Sequence, residues 1–191
     1  MSAEPIGAGG NSFNDIDSQK LFQELDLKKN TIFLDLACGF GDYSLEAAHH
    51  IGNEGKIYAL DLWDEGIENL KDKIQKQELN NIEAQLTDVS QELPLENDSI
   101  DAILISTVLH DFVEDNTDKK VLQQVKRVLK SDGKLAILEF KKEETSHGPP
   151  NEVRLLPEDV ENMLLPYSFK KEKYVDMGKS HYLMIFKAPK S

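Results

Sequence analysis

A glycine-rich turn that lies between two acidic residues is the part of this chain best suited to bind a ligand. Residues 35–41 read Asp-Leu-Ala-Cys-Gly-Phe-Gly and begin within an apolar run. A second acid, Asp61, ends the next apolar run, about 20 positions after Gly39. Glycines let the backbone approach a ligand closely, and an acid at this distance accepts hydrogen bonds from ribose hydroxyls. The spacing therefore predicts the nucleoside-binding half of a doubly wound α/β fold.

The residues around the turn also bear on which nucleoside is bound. A dinucleotide fingerprint has a third small residue that lets the helix pack closely beside a pyrophosphate, and Ser44 meets this position imperfectly. Asp35 would repel a pyrophosphate but could hold an ammonium group. Both features argue against a dinucleotide.

Residues 35–41 resemble, position by position, the first motif of the class I S-adenosylmethionine-dependent methyltransferases, (D/E)-x-(A/G)-x-G-x-G. Residues 94–101 and 128–135 also resemble family patterns, and the likeness extends over residues 15–189. It is closest to small-molecule enzymes such as quinone C-methyltransferases and arsenite methyltransferases. The resemblance implies S-adenosyl-L-methionine as the cofactor, S-adenosyl-L-homocysteine as its product, and a small-molecule methyl acceptor.

The resemblance assigns cofactor contacts to residues at the carboxyl ends of the strands, where open α/β sheets bind ligands. Asp35 would lie near the methionine ammonium, Asp61 would accept from the ribose hydroxyls, and Asp88 from the adenine amino group. Helix caps or turn acids are the alternative for Asp35 and Asp88. The remaining predicted contacts come from the turn and from the residues after later strands: Ala37, Gly39, Gly41, Leu62 on the adenine face, the Val89 N–H at a ring nitrogen, and the Ser106 carbonyl near the ammonium.

His110 and Asp111 are the candidate catalytic residues. They follow the fourth apolar strand, where the acceptor would meet the sulfonium methyl group. A histidine there can take a proton from an acceptor hydroxyl, thiol or acidic carbon. The alternative is a histidine that only lines the pocket or caps the next helix, since alignment alone provides much of the rate of such a transfer.

Other reactive side chains are better explained by packing. Cys38 is predicted to be a small buried hydrophobe, and a single cysteine cannot form the three-cysteine site of an arsenite methyltransferase. His49 and His50 are adjacent and diverge on a helix, so no metal site is predicted. Trp63 is predicted to be a packing residue. Phe13 and residues 147–150 could cover the pocket, although polar loops are usually plain connections.

The alternation of apolar runs and amphipathic stretches predicts the scaffold that positions these residues. Strands are predicted at residues 31–36, 56–60, 82–87, 102–107 and 134–140, and helices at residues 15–27, 43–50, 64–79, 116–129 and 156–165. Residues 169–175 and 181–187 predict a terminal hairpin. The fold class is therefore α/β: a Rossmann-like, doubly wound, seven-stranded sheet, mostly parallel, with an antiparallel strand from the terminal hairpin and helices on both faces.

Length, charge and composition narrow the class of protein. We predict a flexible N-terminal arm at residues 1–14 and one S-adenosylmethionine-binding domain at residues 15–191. The net charge of −13 would repel a phosphate backbone, so nucleic acid is not an expected partner.

The short apolar runs, the lack of a signal peptide and the single cysteine predict a cytoplasmic protein without a membrane span. The sequence does not indicate the oligomeric state.

These observations favour a methyltransferase that acts on a small molecule by in-line methyl transfer. A non-catalytic nucleoside-binding module or partner subunit remains the alternative. An NAD-dependent oxidoreductase is less favoured because of Ser44, Asp35 and the terminal hairpin.

Overall fold

The computed structural model describes residues 12–143 and 148–190, which form one seven-stranded sheet flanked by six α-helices. The strands are β1 (Ile32–Leu36), β2 (Lys56–Asp61), β3 (Ile82–Leu86), β4 (Ile100–Ser106), β5 (Leu129–Phe140), β6 (Lys170–Asp176) and β7 (His181–Lys187). The helices are α1 (Ser18–Leu25), α2 (Asp42–Ile51), α3 (Asp64–Lys76), α4 (Leu109–Glu114), α5 (Asp118–Val128) and α6 (Pro157–Leu164). Short 3-10 helices span Ser12–Asn14 and Leu165–Tyr167.

The strand order confirms the predicted doubly wound topology. The strands lie in the order β3-β2-β1-β4-β5-β7-β6, and β1 to β5 are parallel. Strand β7 runs antiparallel to both of its neighbours, β5 and β6. The order reverses between β1 and β4, so their carboxyl ends define the crevice in which such sheets bind ligands.

Helices cover both faces of the sheet, which explains why the central strands are almost wholly apolar. Along β1, Phe33 packs with residues of α1, α2 and α3, whereas Leu34 and Leu36 pack with residues of α4, α5 and α6. Asp35 shares the face of Phe33 because successive strand residues alternate. It therefore points toward α2.

The sequence misses some local structure. Helix α4 is not predicted, because six residues show too little periodicity to be recognised. Strand β5 begins earlier than the predicted residue 134, and Asp132 and Gly133 lie at an irregularity within it. There Asp132 adopts a φ of 59°, and the register shifts between Ile100 and Ala102.

Part of the predicted N-terminal arm is ordered against the domain. Ser12 is buried, and its Oγ lies 2.9 Å from the Tyr43 hydroxyl. The Phe13 ring meets the Tyr43 ring edge-on, with centroids 5.1 Å apart. Residues 1–11 and 144–147, which include His147 of the expected covering loop, lie outside the described residues. The division into arm and domain thus stays a prediction. Among the described helices, none is long and apolar enough to cross a membrane.

Candidate active site

A cleft opens where the strand order reverses, at the carboxyl ends of β1 and β4. It is lined by the turn after β1, the start of α2, the end of β4 and the N-terminal 3-10 helix: Ser12, Ala37, Cys38, Gly39, Phe40, Asp42, Tyr43, Ser106 and Thr107. The Thr107 hydroxyl donates to Ser12 Oγ over 3.1 Å and links the two sides. The predicted residues Ala37, Gly39 and Ser106 therefore come together in one cleft.

The two glycines of the turn have different roles. Both have positive φ angles, 55° at Gly39 and 73° at Gly41. A Cβ added at Gly39 would meet no atom within 4 Å, whereas one at Gly41 would lie 2.4 Å from Leu70 Cδ1 on α3. Gly39 therefore leaves open space beside the turn, and Gly41 leaves room for a helix. The sequence assigns both to ligand contact, and the structure supplies a packing reason for Gly41.

Gly66 is a third glycine of this site, and the sequence does not single it out. A Cβ there would lie 2.8 Å from the Gly39 carbonyl oxygen and 2.6 Å from the Trp63 ring. Its absence allows α3 to approach the turn closely. A glycine within an otherwise regular helix is the feature that could have indicated this contact.

Asp35 is fully buried and only half satisfied. Its Oδ2 accepts a hydrogen bond from the Ser44 hydroxyl at 2.6 Å, while Oδ1 has no hydrogen-bond partner among the described residues. Burial raises the pKa of Asp35 to about 7, opposed by the Ser44 hydrogen bond and reinforced by the Asp61 carboxylate. An unsatisfied buried oxygen is costly, and a cationic donor would satisfy it best.

This raised pKa predicts a pH-dependent stability for the cofactor-free protein. Between its ordinary pKa of 3.8 and about 7, Asp35 binds a proton in the folded state but not in the unfolded state. The free energy of unfolding should therefore fall as pH rises through this range, by up to about 1.4 kcal/mol per pH unit from this group. Asp35→Asn should remove that part of the slope in denaturant titrations. Equal slopes for wild type and Asp35→Asn would contradict this account.

Asp61 joins the end of β2 to the glycine turn. Its Oδ2 accepts the Gly39 N–H and its Oδ1 accepts the Trp63 N–H, both at 2.7 Å. Burial raises the pKa of Asp61, and backbone hydrogen bonds from Gly39, Trp63 and Leu62 partly oppose the shift. Each carboxylate oxygen retains a further lone pair that can accept a ribose hydroxyl. The predicted ribose acid thus also fixes the turn.

The predicted adenine contacts lie on the β2–β3 side. Leu62 is 55% exposed, so its side chain is available to cover a flat ring. Asp88 Oδ1 accepts the N–H and hydroxyl of Ser90 at 2.9 and 2.7 Å, and Oδ2 accepts Gln91 Nε2 at 3.3 Å. Burial raises the pKa of Asp88, but these hydrogen bonds outweigh it and the pKa is lowered. Asp88 therefore accepts hydrogen bonds within its own turn, and its contact with the adenine stays a prediction. The Val89 side chain beside it is buried.

Cys38 and Trp63 pack as the sequence predicts. Both are buried, and the Trp63 ring meets the Phe40 ring at 70° with centroids 4.6 Å apart. Burial raises the pKa of the Cys38 thiol well above its usual range, which makes it a poor nucleophile. No group of three His, Cys, Asp or Glu side chains within the described ranges is placed to hold a metal ion.

His110 lies in the first turn of α4, beside a buried carboxylate. Its Nδ1 is 2.9 Å from Glu139 Oε2, and its Nε2 is 3.4 Å from Asp111 Oδ1. Burial lowers the pKa of His110, but the hydrogen bond and charge of Glu139 outweigh it and the pKa is raised. Burial raises the pKa of Asp111 to about 6, opposed by His110 and reinforced by Glu139. The structure thus places the two predicted catalytic residues close to a third ionisable side chain, that of Glu139.

The sequence does not identify Glu139. It is a charged residue near the end of an apolar strand, and its side chain is fully buried. An acid inside a buried run is the feature that could have indicated a partner. His110 follows the cleft residue Thr107 and is not itself part of the cleft wall described above. Its side chain is 4% exposed, whereas that of Asp111 is 15% exposed.

The fold and the cleft define a class I, Rossmann-like methyltransferase domain. A family model described as "Methyltransferase domain" matches residues 27–183. The chain belongs to this family, the S-adenosylmethionine-dependent methyltransferases of class I.

Individual relatives agree with this assignment. The crystal structure of an S-adenosylmethionine-dependent methyltransferase from Aquifex aeolicus is similar with a TM-score of 0.84 and 28% identity, over 94% of this chain and 93% of that one. The demethylmenaquinone methyltransferase of Lactobacillus johnsonii is 34% identical over 122 residues, which are 63% of this chain and 48% of that protein. The 2-phytyl-1,4-naphtoquinone methyltransferase of Trichormus variabilis is 32% identical over 123 residues, 62% of this chain and 48% of that protein. The chain spans about half the length of the curated relatives it matches.

Proposed function

We propose that this protein transfers a methyl group from S-adenosylmethionine to a small-molecule acceptor. The observation that carries the proposal is the pairing of the buried Asp35 carboxyl, whose Oδ1 lacks a partner among the described residues, with the open space beside Gly39. A carboxylate suits the ammonium group of the cofactor, and a side-chain-free turn suits its close approach. The residues present therefore fit S-adenosylmethionine.

The cofactor, when bound, supplies a methyl group activated by a sulfonium centre. In our proposal Asp35 and the Ser106 carbonyl hold its ammonium group, and Asp61 accepts its ribose hydroxyls. Leu62 covers the adenine ring, with Asp88 and the Val89 N–H at its edge. Asp88 can serve there through Oδ2, because its only described hydrogen bond, from Gln91, is the longer one.

A quinone-type molecule is the first acceptor class to test. Two relatives are named for demethylmenaquinone and for a 2-phytyl-1,4-naphtoquinone, and these are statements about those proteins. Methylation of an acceptor that carries a hydrogen on its reacting carbon, oxygen, nitrogen or sulfur releases a proton. We propose that His110, with Asp111 beside it, takes that proton.

A non-catalytic S-adenosylmethionine-binding module is the second candidate. It is favoured by the burial of His110, which is not among the residues that line the cleft. Calorimetry with S-adenosylmethionine, S-adenosylhomocysteine and NAD tests the site, and turnover with a panel of quinones, phenols, thiols and amines tests catalysis. We expect the first two ligands to bind, NAD not to bind, and one acceptor class to be methylated. Binding without turnover on any acceptor would favour the module, and binding of NAD alone would overturn both candidates.

Loss of the Asp61 carboxylate should weaken cofactor binding. Asp61→Ala should raise the dissociation constant by the equivalent of about 2–3 kcal/mol, because two ribose hydroxyls lose a charged acceptor and the turn loses the anchor of its Gly39 N–H. Asp101→Ala is the matched control. Asp101 also accepts a backbone N–H, from Ile32 at 2.8 Å, but it lies at the opposite ends of β1 and β4. Equal affinities for wild type and Asp61→Ala would refute the ribose assignment.

A further inference from the structure

We infer that Glu139 is a positioning residue that holds the His110 imidazole with its proton on Nδ1, so that Nε2 is the nitrogen that accepts a proton. This role rests on the proposed function of His110. Glu139 belongs to β5, and neither the sequence motifs nor the residues that line the cleft identify it.

The Glu139 carboxylate lies within hydrogen-bond distance of three nitrogen atoms. It accepts the His110 backbone N–H at 3.2 Å, the Phe140 backbone N–H at 3.1 Å, and His110 Nδ1 at 2.9 and 3.1 Å from its two oxygens. A carboxylate can only accept, so the imidazole nitrogen at this distance must carry a hydrogen. Nε2 lies 3.4 Å from Asp111 Oδ1, a longer separation than either Nδ1 contact, so Glu139 determines the tautomer more strongly than Asp111 does. The neutral ring then has its lone pair on Nε2.

The same carboxylate fixes both the main chain and the ring of His110. This leaves the imidazole little freedom to rotate, because a turn of the ring would break the Nδ1 contact and leave a fully buried carboxylate short of a donor. The Phe140 ring meets the imidazole edge-on at 5.9 Å. His181 and the Arg154 guanidinium in turn contact Phe140, at 4.3 and 5.4 Å from its ring.

The charges around the ring favour proton uptake at Nε2. Glu139 from β5 and Asp111 and Glu114 from α4 all raise the proton affinity of the ring. When the acceptor gives its proton to Nε2, the electron pair of the broken bond stays on the acceptor. The acceptor then forms its bond to the methyl group with an electron pair of its own, and the sulfur that loses the methyl group keeps the pair of the broken sulfur–carbon bond. The imidazolium that forms is stabilised by the buried Glu139 carboxylate, as a carboxylate stabilises the histidine of other acid–base pairs.

The protonation of His110 can be measured without an acceptor. In ¹⁵N-edited NMR spectra of the full chain, the His110 signals, assigned by their loss in His110→Gln, should show the Nδ1–H tautomer at high pH. Glu139→Gln should shift the neutral ring toward the Nε2–H tautomer and lower the pKa of His110, whereas Glu114→Gln should keep the tautomer. An Nε2–H tautomer in the wild type, or an unchanged tautomer in folded Glu139→Gln, would overturn the inference. The wild-type measurement decides it even if Glu139→Gln does not fold.

A double-mutant cycle then tests the effect on turnover. Glu139→Gln should lower kcat by about 10- to 100-fold, less than loss of the base itself, with little change in the KM for S-adenosylmethionine. In the His110→Ala background the same substitution should have almost no further effect. Additive losses would indicate a purely structural role and overturn the inference. Full activity in His110→Ala would instead refute the proposed base, while the tautomer measurement would still decide the role of Glu139 in orienting the ring.

Discussion

Gly39→Val should abolish S-adenosylmethionine binding in a protein that still folds. An added Cβ meets no protein atom within 4 Å, so the valine side chain projects into the space that the proposed cofactor occupies. Its β-branched Cβ also strains a backbone held at a φ of 55°, whose N–H anchors the turn to Asp61. We expect calorimetry to show a loss of about 100-fold or more in affinity, the equivalent of about 3 kcal/mol. Circular dichroism should show an unchanged fold.

Two other glycines separate ligand contact from backbone strain. Gly178 in the terminal hairpin also has a positive φ, 94°, and open space at its Cβ position, so Gly178→Val carries the same kind of strain away from the cleft. Its affinity for the cofactor should equal that of the wild type. Gly41→Val should instead destabilise the fold, because its Cβ would overlap Leu70. If Gly39→Val binds the cofactor as tightly as Gly178→Val does, the assignment of the turn is wrong.

The sequence predicts most of the fold because its signals are local and consistent. The apolar runs of β1 and β4 and the amphipathic period of α5 give both the type and the order of the elements. In parallel sheets the carboxyl ends of the strands meet at one edge, so the order alone brings the residues after β1, β2 and β4 close together. The terminal hairpin is also predicted from a local pattern, and the antiparallel pairing of β7 with β5 and β6 confirms it.

What the sequence could not predict depends on pairs that are distant along the chain. Ser44 looks like an imperfect member of a dinucleotide fingerprint, yet its hydroxyl is the hydrogen-bond partner of Asp35. Gly41 matches the motif, but its packing partner is Leu70 on the next helix. Glu139 acquires its role only when β5 pairs with β4 and brings it beside His110. No spacing rule within one element contains this information.

The acidic residues of this site combine structural and functional contacts. Asp61 and Glu139 each accept at least two backbone N–H groups, and each also has a proposed role toward a ligand or a base. Their substitution therefore changes local backbone geometry as well as chemistry. This is why controls that lose a comparable backbone hydrogen bond elsewhere, such as Asp101→Ala, are needed to separate the two effects.

His110→Ala should lower methyl-transfer turnover by about 10²–10⁴-fold, the usual cost of losing a positioned base. Affinity for S-adenosylmethionine should be almost unchanged, because the proposed cofactor contacts come from the cleft and from Asp35 and Asp61. The wild-type rate should rise with pH as the imidazole loses its proton. Since Glu139 raises the pKa of His110, this rise should be centred above the ordinary value of 6.5 rather than below it, and Glu139→Gln should move it to lower pH.

The matched control for His110→Ala is His50→Ala, which removes a histidine from α2. The His50 ring stacks on Phe22 with centroids 4.9 Å apart, on the opposite face of the sheet from α4. Its loss should leave both turnover and the pH profile unchanged. Full activity in His110→Ala, or a flat pH profile measured with chemistry rate-limiting, would show that His110 takes no proton. The proposed cofactor contacts do not involve His110 and would be retained. Without a base, catalysis would then depend on alignment of the acceptor with the methyl group alone.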